Sequence, residues 1–164
     1  MSHDALIPPF ERMLAALSVI LAKAEAHCTA RKIAPEVLLT FRLYPDMLPF
    51  TRQVQLTCDF CVRAASRLSG AAVPSTPDTE TTFAELEARI AAARAHLAAI
   101  PPEALEGCDT REVSFPMRGQ TTTMSGLAFR TLFAMPQVYF HATTAYAILR
   151  HNGVEVGKGD FMGV

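Results

Sequence analysis

Cys58 and Cys61, two cysteines separated by two residues in the stretch TCDFC, could do chemistry of two kinds. A Cys-x-x-Cys pair can be a redox dithiol or half of a zinc site, or it can simply fill an apolar helix face. Redox pairs lie where a strand leads into a helix amino terminus, which lowers the thiol pKa. Here the pair falls in the middle of a predicted helix, on its apolar stripe. We therefore expect both thiols to be buried, reduced and slow to react.

A zinc site at this pair would need two further soft ligands. Cys108 is isolated in the sequence, whereas His27 and Cys28 end another predicted helix and are candidate partners. A metal site and an oxidation-sensitive dithiol therefore stay open as alternatives to a packing role.

His141 is the second residue that could do chemistry, because it falls in the middle of the last predicted helix. Gln137 and Thr144 lie on the same edge of that helix and can form hydrogen bonds. Helical proteins build metal and ligand sites from side chains on facing helices. The alternative is a core histidine that is bonded to a carboxylate or a backbone carbonyl.

The second predicted helix supplies the groups that could face His141. Gln53 or Asp59 could orient the imidazole across the interior, although Asp59 and Arg63 are also spaced for a surface ion pair. A neutral His141 would then be a general base or a single metal ligand. The predicted pocket comprises His141, Gln137, Thr144, Gln53, Asp59 and Arg52, with Lys158 and Asp160 of the tail as rim charges.

The elements that must position these residues are mostly helical. Helical periodicity covers residues 8–30, 46–69, 83–100 and 126–152. Residues 111–124 alternate apolar and polar side chains around Arg118 and Gly119, which predicts a short β-hairpin. Residues 69–82, rich in Pro, Ser and Thr, read as a linker, and residues 28–44 are expected to carry a short helix. The pattern predicts one all-α domain over residues 1–164, a four-helix bundle with a hairpin between helices three and four.

The last predicted helix is apolar on two faces and contains Pro136, which should kink it. One face comprises Phe129, Phe133, Phe140, Thr144 and Ala147, and the other comprises Leu132, Met135, Tyr139, Tyr146 and Leu149. A helix that is apolar on two faces is buried on two sides. We therefore predict a homodimer in which the second face packs against another copy.

Composition narrows the class of protein. Half of the 164 residues are hydrophobic, which fits a packed domain. The net charge is −1, so the protein has no overall positive potential that would attract nucleic acid or an anionic membrane. Charges interrupt the apolar runs before about 18 residues, so we expect no membrane span. The first residues lack a signal-peptide pattern, and a cytoplasmic location is therefore expected.

Three segments resemble an uncharacterised domain-of-unknown-function family within the DinB/YfiT-like superfamily. They are AYAILRHNGVEVGKGDFMG at residues 145–163, FRLYPDMLPFTRQVQLTCD at residues 41–59 and EVSFPMRGQTTTMSG at residues 112–126. The tail motif L-R-H-N-G-V-x-x-G-K-x-D-F is the most specific of them. The resemblance implies an up-down-down-up four-helix bundle, often dimeric, and for some members a metal-dependent transferase or hydrolase activity.

Metal-binding members of that superfamily carry one histidine on helix two and two on the last helix, spaced H-x-x-x-H. In this chain only His141 matches, because Ala145 follows four residues later and helix two has no histidine. The resemblance therefore implies at most a degenerate site for zinc or nickel.

Three functions follow from this reading. The first is a dimeric bundle that binds a small ligand near His141 without a complete metal site. The alternatives are a metal-dependent transferase or hydrolase, and a thiol-based redox or stress protein that uses Cys58 and Cys61.

Overall fold

The computed structural model describes residues 3–117 and 119–164. Its α-helices are α1 (Ile7–Arg31), α2 (Pro35–Leu39), α3 (Phe50–Ser69), α4 (Phe83–Ala98), α5 (Gly126–Ala128), α6 (Met135–His151) and α7 (Lys158–Met162). A 3₁₀ turn covers Pro102–Leu105, and a π-helical segment covers Phe129–Ala134. Strands β1 (Glu112–Met117) and β2 (Gln120–Ser125) form the one hairpin of the described residues.

The four longest helices enclose the core. Helix α3 packs against α6 and α4, and α1 packs against α4, α3 and α6. The largest fully buried side chains come mainly from α1, α3, α4 and the segment before α6, and include Phe10, Leu14, Phe50, Leu68, Leu86 and Phe129. The protein is therefore mostly helical, with a small two-stranded sheet, as the sequence predicts.

The ends of α3 follow from proline and glycine chemistry. The helix begins at Phe50 rather than at the predicted residue 46, because Pro49 is extended (ψ 165°) and proline disfavours a helical residue before it. Gly70 ends the helix in the left-handed region, with φ +79°. The guanidinium of Arg111 donates to the Leu68 carbonyl and so satisfies one of the last acceptors of α3.

Helix α4 begins where the sequence predicts. The Thr82 hydroxyl accepts from Glu85 N at 3.2 Å, and Glu85 Oε2 accepts from Thr82 N at 3.0 Å. This confirms the predicted capping box, which satisfies two backbone donors that the first turn leaves without partners.

The last predicted helix is interrupted rather than simply kinked. Pro136 has no N–H, and its ring crowds the carbonyl four residues earlier, so an α-helical turn cannot run through it unchanged. The π-helical segment Phe129–Ala134 lies directly before it and turns more widely. The predicted face that combines Phe129, Phe133 and Phe140 is therefore wrong, because Phe140 is 58% exposed while Phe129 is buried.

The hairpin packs one aliphatic and one aromatic side chain against the core. Val113 and Phe115 of β1 are buried, and β1 pairs with β2 in antiparallel register, with Val113 opposite Met124. The centroid of the Phe115 ring lies 4.9 Å from that of Phe129 and 4.5 Å from that of Phe133. The predicted hairpin is confirmed, although Arg118 of its turn lies outside the described residues.

Residues 71–82, called the strap below, are fixed to α3 and α4 rather than forming a free linker. The side chain of Arg89 on α4 is only 4% exposed. Its guanidinium bonds Glu80 at 2.8 Å, Asp78 at 3.0 Å and the Pro77 carbonyl at 3.0 Å. A buried arginine is stable only when its donors are paired in this way, so the strap is held by an interaction that the fold needs.

Helix α1 is long and apolar enough to cross a membrane by length and composition alone, since an 18-residue window has a mean hydropathy of 1.3. This differs from the expectation that charge would interrupt every such run. The side chains of one face, however, are buried against the other helices and include Phe10, Leu14, Leu17 and Leu21. That burial is typical of a core helix of a globular domain.

We expect Gly126→Ala to destabilise the protein strongly. A Cβ at residue 126 would lie 1.8 Å from the Cys108 carbonyl oxygen, which is backbone and cannot rotate away. Overpacking of this kind costs about 1–3 kcal/mol, and the contact places this case at the upper end. Chemical denaturation measures the change. Gly157→Ala is the matched control, because its nearest new contact is at 4.0 Å; equal losses in the two variants would contradict the argument.

Candidate functional site

His141 lies across the interior from Gln53. The two side chains are 7% and 2% exposed, and His141 Nδ1 is 2.8 Å from Gln53 Oε1. Helix α6 supplies the histidine and α3 supplies the glutamine, and these two helices pack closely together. The structure therefore brings together two of the residues from which the sequence predicts a pocket.

The hydrogen bonds of Gln53 define which nitrogen of His141 carries the proton. Gln53 Nε2 donates to the Leu48 carbonyl at 3.0 Å, and a carbonyl can only accept. The amide oxygen of Gln53 must therefore face His141, where it accepts from Nδ1–H. In the neutral imidazole this leaves Nε2 with its lone pair free.

Burial keeps His141 neutral at pH 7. Loss of hydration, together with the positive charge of Arg52, lowers the pKa of His141 to about 4. The imidazole also stacks on Phe60, with ring centroids 5.5 Å apart and an interplanar angle of 8°, and meets the edge of Phe140 at 5.2 Å. The site is thus an uncharged imidazole held between two aromatic rings.

The free lone pair of His141 retains contact with solvent. Among the described residues, one fully buried side-chain nitrogen or oxygen lacks a hydrogen bond, and it is Arg130 Nη1, which forms an ion pair of 3.0 Å with Asp109. His141 Nε2 has no hydrogen-bond partner within residues 3–117 and 119–164, so it must be partly accessible. It can accept a hydrogen bond from a ligand or coordinate a metal.

A groove of about 520 Å³ runs along α6 next to this site, although His141 itself is not among the residues that line it. One wall is the loop between α2 and α3, and the other is the outer face of α6. Its lining is mostly apolar and comprises Leu43, Met47, Pro136, Tyr139, Phe140, Thr143, Thr144 and Ala147. Phe140 and Thr144 belong to the turns of α6 that flank His141, and Leu48, which holds Gln53, belongs to the same loop.

The other predicted site residues on the helices are placed differently. Asp59 accepts from Arg89 at 2.6 Å and from Arg63 at 2.8 Å, and so belongs to the network that holds the strap rather than to the His141 site. Arg52 lies near enough to affect His141, but its guanidinium binds Gln55 and Asp78, both at 2.6 Å.

The two polar neighbours of His141 on α6 contribute less than the sequence predicts. The Thr144 hydroxyl donates to the Phe140 carbonyl of its own helix at 2.7 Å, which uses its proton within α6. Gln137 is half-buried, and the groove lining does not include it.

The tail does not cover the site, contrary to the prediction. Helix α7 packs against α1, where Asp160 pairs with Lys23 at 2.6 Å and accepts from Gly157 N at 2.8 Å. Phe161 meets Tyr146 edge to face at 5.8 Å. Lys158 and Asp160 are therefore not rim charges of the His141 site, because the tail bonds to α1.

The Cys-x-x-Cys pair is buried in the core, as expected from its apolar stripe. Cys58 and Cys61 are nearly inaccessible, and burial raises the pKa of Cys58 to about 12 and that of Cys61 well above its usual value. Thiolates will be scarce at both positions at neutral pH. Among residues 3–117 and 119–164, no group of three His, Cys, Asp or Glu side chains could hold a metal ion.

Sequence reasoning missed Phe60, Leu48 and Arg89. Phe60 lies seven residues after Gln53, a spacing that returns to the same helix face, and this signal could have shown that both meet His141. Leu48 acts through its backbone carbonyl, which accepts from Gln53, and the identity of its side chain does not reveal this role. The burial of Arg89 depends on where the strap crosses α4.

The fold is that of the DinB class. The chain superposes with a TM-score of 0.93 on the crystal structure of a DinB family member protein from Shewanella denitrificans, at 41% sequence identity. The match covers 99% of this chain and 92% of the other. The chain belongs to the family described as Domain of unknown function (DUF1993), whose model matches residues 2–162. No curated protein matches the sequence.

The residues present do not fit the three-histidine metal centre that the superfamily resemblance implies. Where a second ligand would face His141 on α3, the chain has Gln53, whose oxygen and nitrogen are both engaged. Ala145, the position four residues after His141, has no donor atom. A neutral imidazole alone would bind zinc or nickel weakly.

We expect His141 to stay neutral well below pH 6.5, with a midpoint near pH 4. A pKa that is lowered on folding contributes stability above the unfolded pKa of about 6.5, and this contribution is lost as the pH falls toward 4. Imidazole NMR titration measures the midpoint, and ¹⁵N shifts should show protonated Nδ1 and bare Nε2.

Gln53→Glu provides the matched comparison. A carboxylate facing Nδ1 favours the imidazolium, so the His141 midpoint should rise. A wild-type midpoint near 6.5, or no rise in the variant, would contradict this account of the site.

Proposed function

We propose that this protein is a small-molecule-binding member of the DinB-like superfamily, a four-helix bundle in which a Gln53–His141 pair stands where other members hold a metal. The observation that supports this most is the 2.8 Å hydrogen bond that directs Nδ1–H to Gln53 and leaves Nε2 free. Phe140 and Thr144, which flank His141 on α6, line a mostly apolar groove of about 520 Å³, and we infer that a ligand bound in that groove reaches Nε2. That volume lies within the range of ligand pockets, about 300–1,000 Å³.

The chemistry of the groove indicates the class of ligand. Its walls offer aromatic and aliphatic surface, notably Phe140, Tyr139 and Met47, and no Asp, Glu, Lys or Arg is among the described residues that line it. His141 is uncharged at pH 7 and can accept one hydrogen bond. The ligand is therefore an uncharged, largely apolar molecule that carries one hydrogen-bond donor, such as a phenol or an indole.

The two alternative functions have less support. A metal-dependent transferase or hydrolase would need ligands that Gln53 and Ala145 do not supply. A thiol-based redox function would need an accessible thiolate, whereas the Cys58 and Cys61 thiols are buried and their pKa values are raised. A neutral His141 could still serve as a general base toward a molecule bound in the groove.

The test uses 4-methylphenol, with 4-methylanisole as a ligand of similar shape that lacks the donor. The phenol should shift the His141 Nε2 resonance and the Met47 methyl resonance, and His141→Phe should weaken its binding about 5–10-fold, the contribution of one hydrogen bond. His151→Phe, an exposed position on the same helix, is the matched control.

Equal affinity for the two ligands, or no shift at millimolar phenol, would contradict the proposed ligand class. Elemental analysis of untagged protein tests the other part of the proposal. We expect no stoichiometric zinc or nickel, and one equivalent of either would favour the metal-dependent alternative.

The second proposal is a homodimer through the outer face of the last helical segment. Leu132 is 73% exposed and Phe140 58% exposed, and Leu127 and Tyr139 are also exposed on this part of the chain. We infer that these side chains form one apolar patch, and such patches mark protein contacts more often than free surface. A second copy packed there would also enclose the groove beside His141.

Leu132→Glu should convert the dimer into a monomer, because it places a charge in the contact. Light scattering at micromolar concentration measures the mass, and Val19→Glu, at an exposed apolar position on α1, should leave it unchanged. A monomeric wild type would contradict the proposal.

A further inference from the structure

A second cavity, of about 590 Å³, shares Tyr139 with the groove beside His141. Its walls come from both ends of the chain, with α1 and α7 facing each other. The apolar lining comprises Pro8, Pro9, Met13, Tyr139, Phe161 and Met162. The function proposed above does not use this cavity.

One basic side chain at this cavity has a charge that the fold does not neutralise. Arg12 is an exposed side chain that lines the cavity and forms no ion pair within residues 3–117 and 119–164. Among the neighbouring acids, Glu11 pairs with Arg94 and Asp160 with Lys23, each at 2.6 Å, and the exposed Asp4 lies 3.3 Å from His3 Nδ1. The guanidinium of Arg12 is therefore available to a ligand.

The amino terminus of α1 does not provide an alternative anion site. Pro8 and Pro9 have no N–H, and the N–H groups of Leu6 and Ile7 donate to the His3 carbonyl at 3.0 and 2.9 Å. The polar groups left at the cavity are the Arg12 guanidinium, the Tyr139 phenol and the Asp4 carboxylate. Recognition of an anion must therefore depend on Arg12, with Tyr139 as a second donor.

We propose that this cavity binds a monocarboxylate with an apolar chain, such as a medium-chain fatty acid. The carboxylate pairs with Arg12, and the chain packs on Met13, Phe161 and Met162. Arg12 and Asp4 bring opposite charges to the cavity, so a ligand with one negative charge is favoured over one with several.

The tail completes the cavity. Helix α7 is held on α1 by the Lys23–Asp160 ion pair, and Phe161 rests against Tyr146. Phe161 and Met162 would leave the cavity if α7 moved away, so the bound chain stabilises the docked tail. Helix α7 has only five residues, and its contacts are made chiefly with α1.

Methionine methyl NMR separates this site from the first one. Met13 and Met162 line this cavity, whereas Met47 lines the groove beside His141. Decanoate below its micelle concentration should shift Met13 and Met162 and leave Met47 in place. Decanol, which lacks the charge, should bind about tenfold more weakly or worse.

Two variants with opposite expected effects on the affinity for decanoate test the role of charge. Arg12→Gln should weaken decanoate binding about tenfold or more, the range for a hydrogen bond to a charged group. Asp4→Asn should strengthen it, because a repelling charge is removed. Arg150→Gln changes an exposed cation outside the cavity and should have no effect.

Three results would overturn the proposal. They are a shift of Met47 alone, equal affinity for decanol and decanoate, and no methyl shift at millimolar decanoate. If Arg12→Gln does not fold, the decanol comparison and Asp4→Asn still decide the question. Binding of 4-methylphenol beside His141 is independent of each of these outcomes.

Discussion

Pro136 cannot donate a backbone hydrogen bond, and much of the architecture follows from this constraint. The π-helical segment Phe129–Ala134, which precedes Pro136, turns more widely than an α-helix. This wider turn determines which way the side chains of the segment point around the helix axis. That rotation places Phe133 between Phe115 of the hairpin and Phe60 of α3, at 4.5 and 6.1 Å. Because Phe60 also stacks on His141, the hairpin and the histidine are joined by one continuous set of aromatic contacts.

Helix α3 carries two separate polar systems on opposite sides. Toward α6 it presents Gln53, which orients an uncharged imidazole. Toward α4 it presents Asp59, which shares Arg89 with the strap. The second system is electrostatic: burial alone would raise the pKa of Glu80, but hydrogen bonds from Arg89 and Gln55 outweigh it and hold that pKa below its ordinary value. Arg52 connects the two systems, because it pairs with Asp78 of the strap while its positive charge helps to lower the pKa of His141.

Most of the helical elements could be predicted from the sequence, because periodicity, capping residues and proline act locally. The Thr82–Glu85 capping box and the alternation of Val113 and Phe115 are examples. The faces of the last helix could not be predicted, since a period of 3.6 residues fails across a π turn. For the site, helix register predicted Gln53 or Asp59 as the partner of His141 and left the choice between them open. Asp59 and Asp160 were misplaced because their partners, Arg89 and Lys23, come from distant segments, and Lys158 lies on the same short helix as Asp160.

The strap shows how composition can mislead an engineer. Residues 71–82 have the small, polar and proline-rich character of a hinge, and domain insertion or chain splitting is normally attempted at such segments. Here Pro77, Asp78 and Glu80 supply the acceptors that make a buried arginine tolerable. A chain break in this segment would leave the buried Arg89 guanidinium without these acceptors. Permuted or split versions of the chain should be opened elsewhere, and the spacing of these acceptors will be slow to drift during evolution.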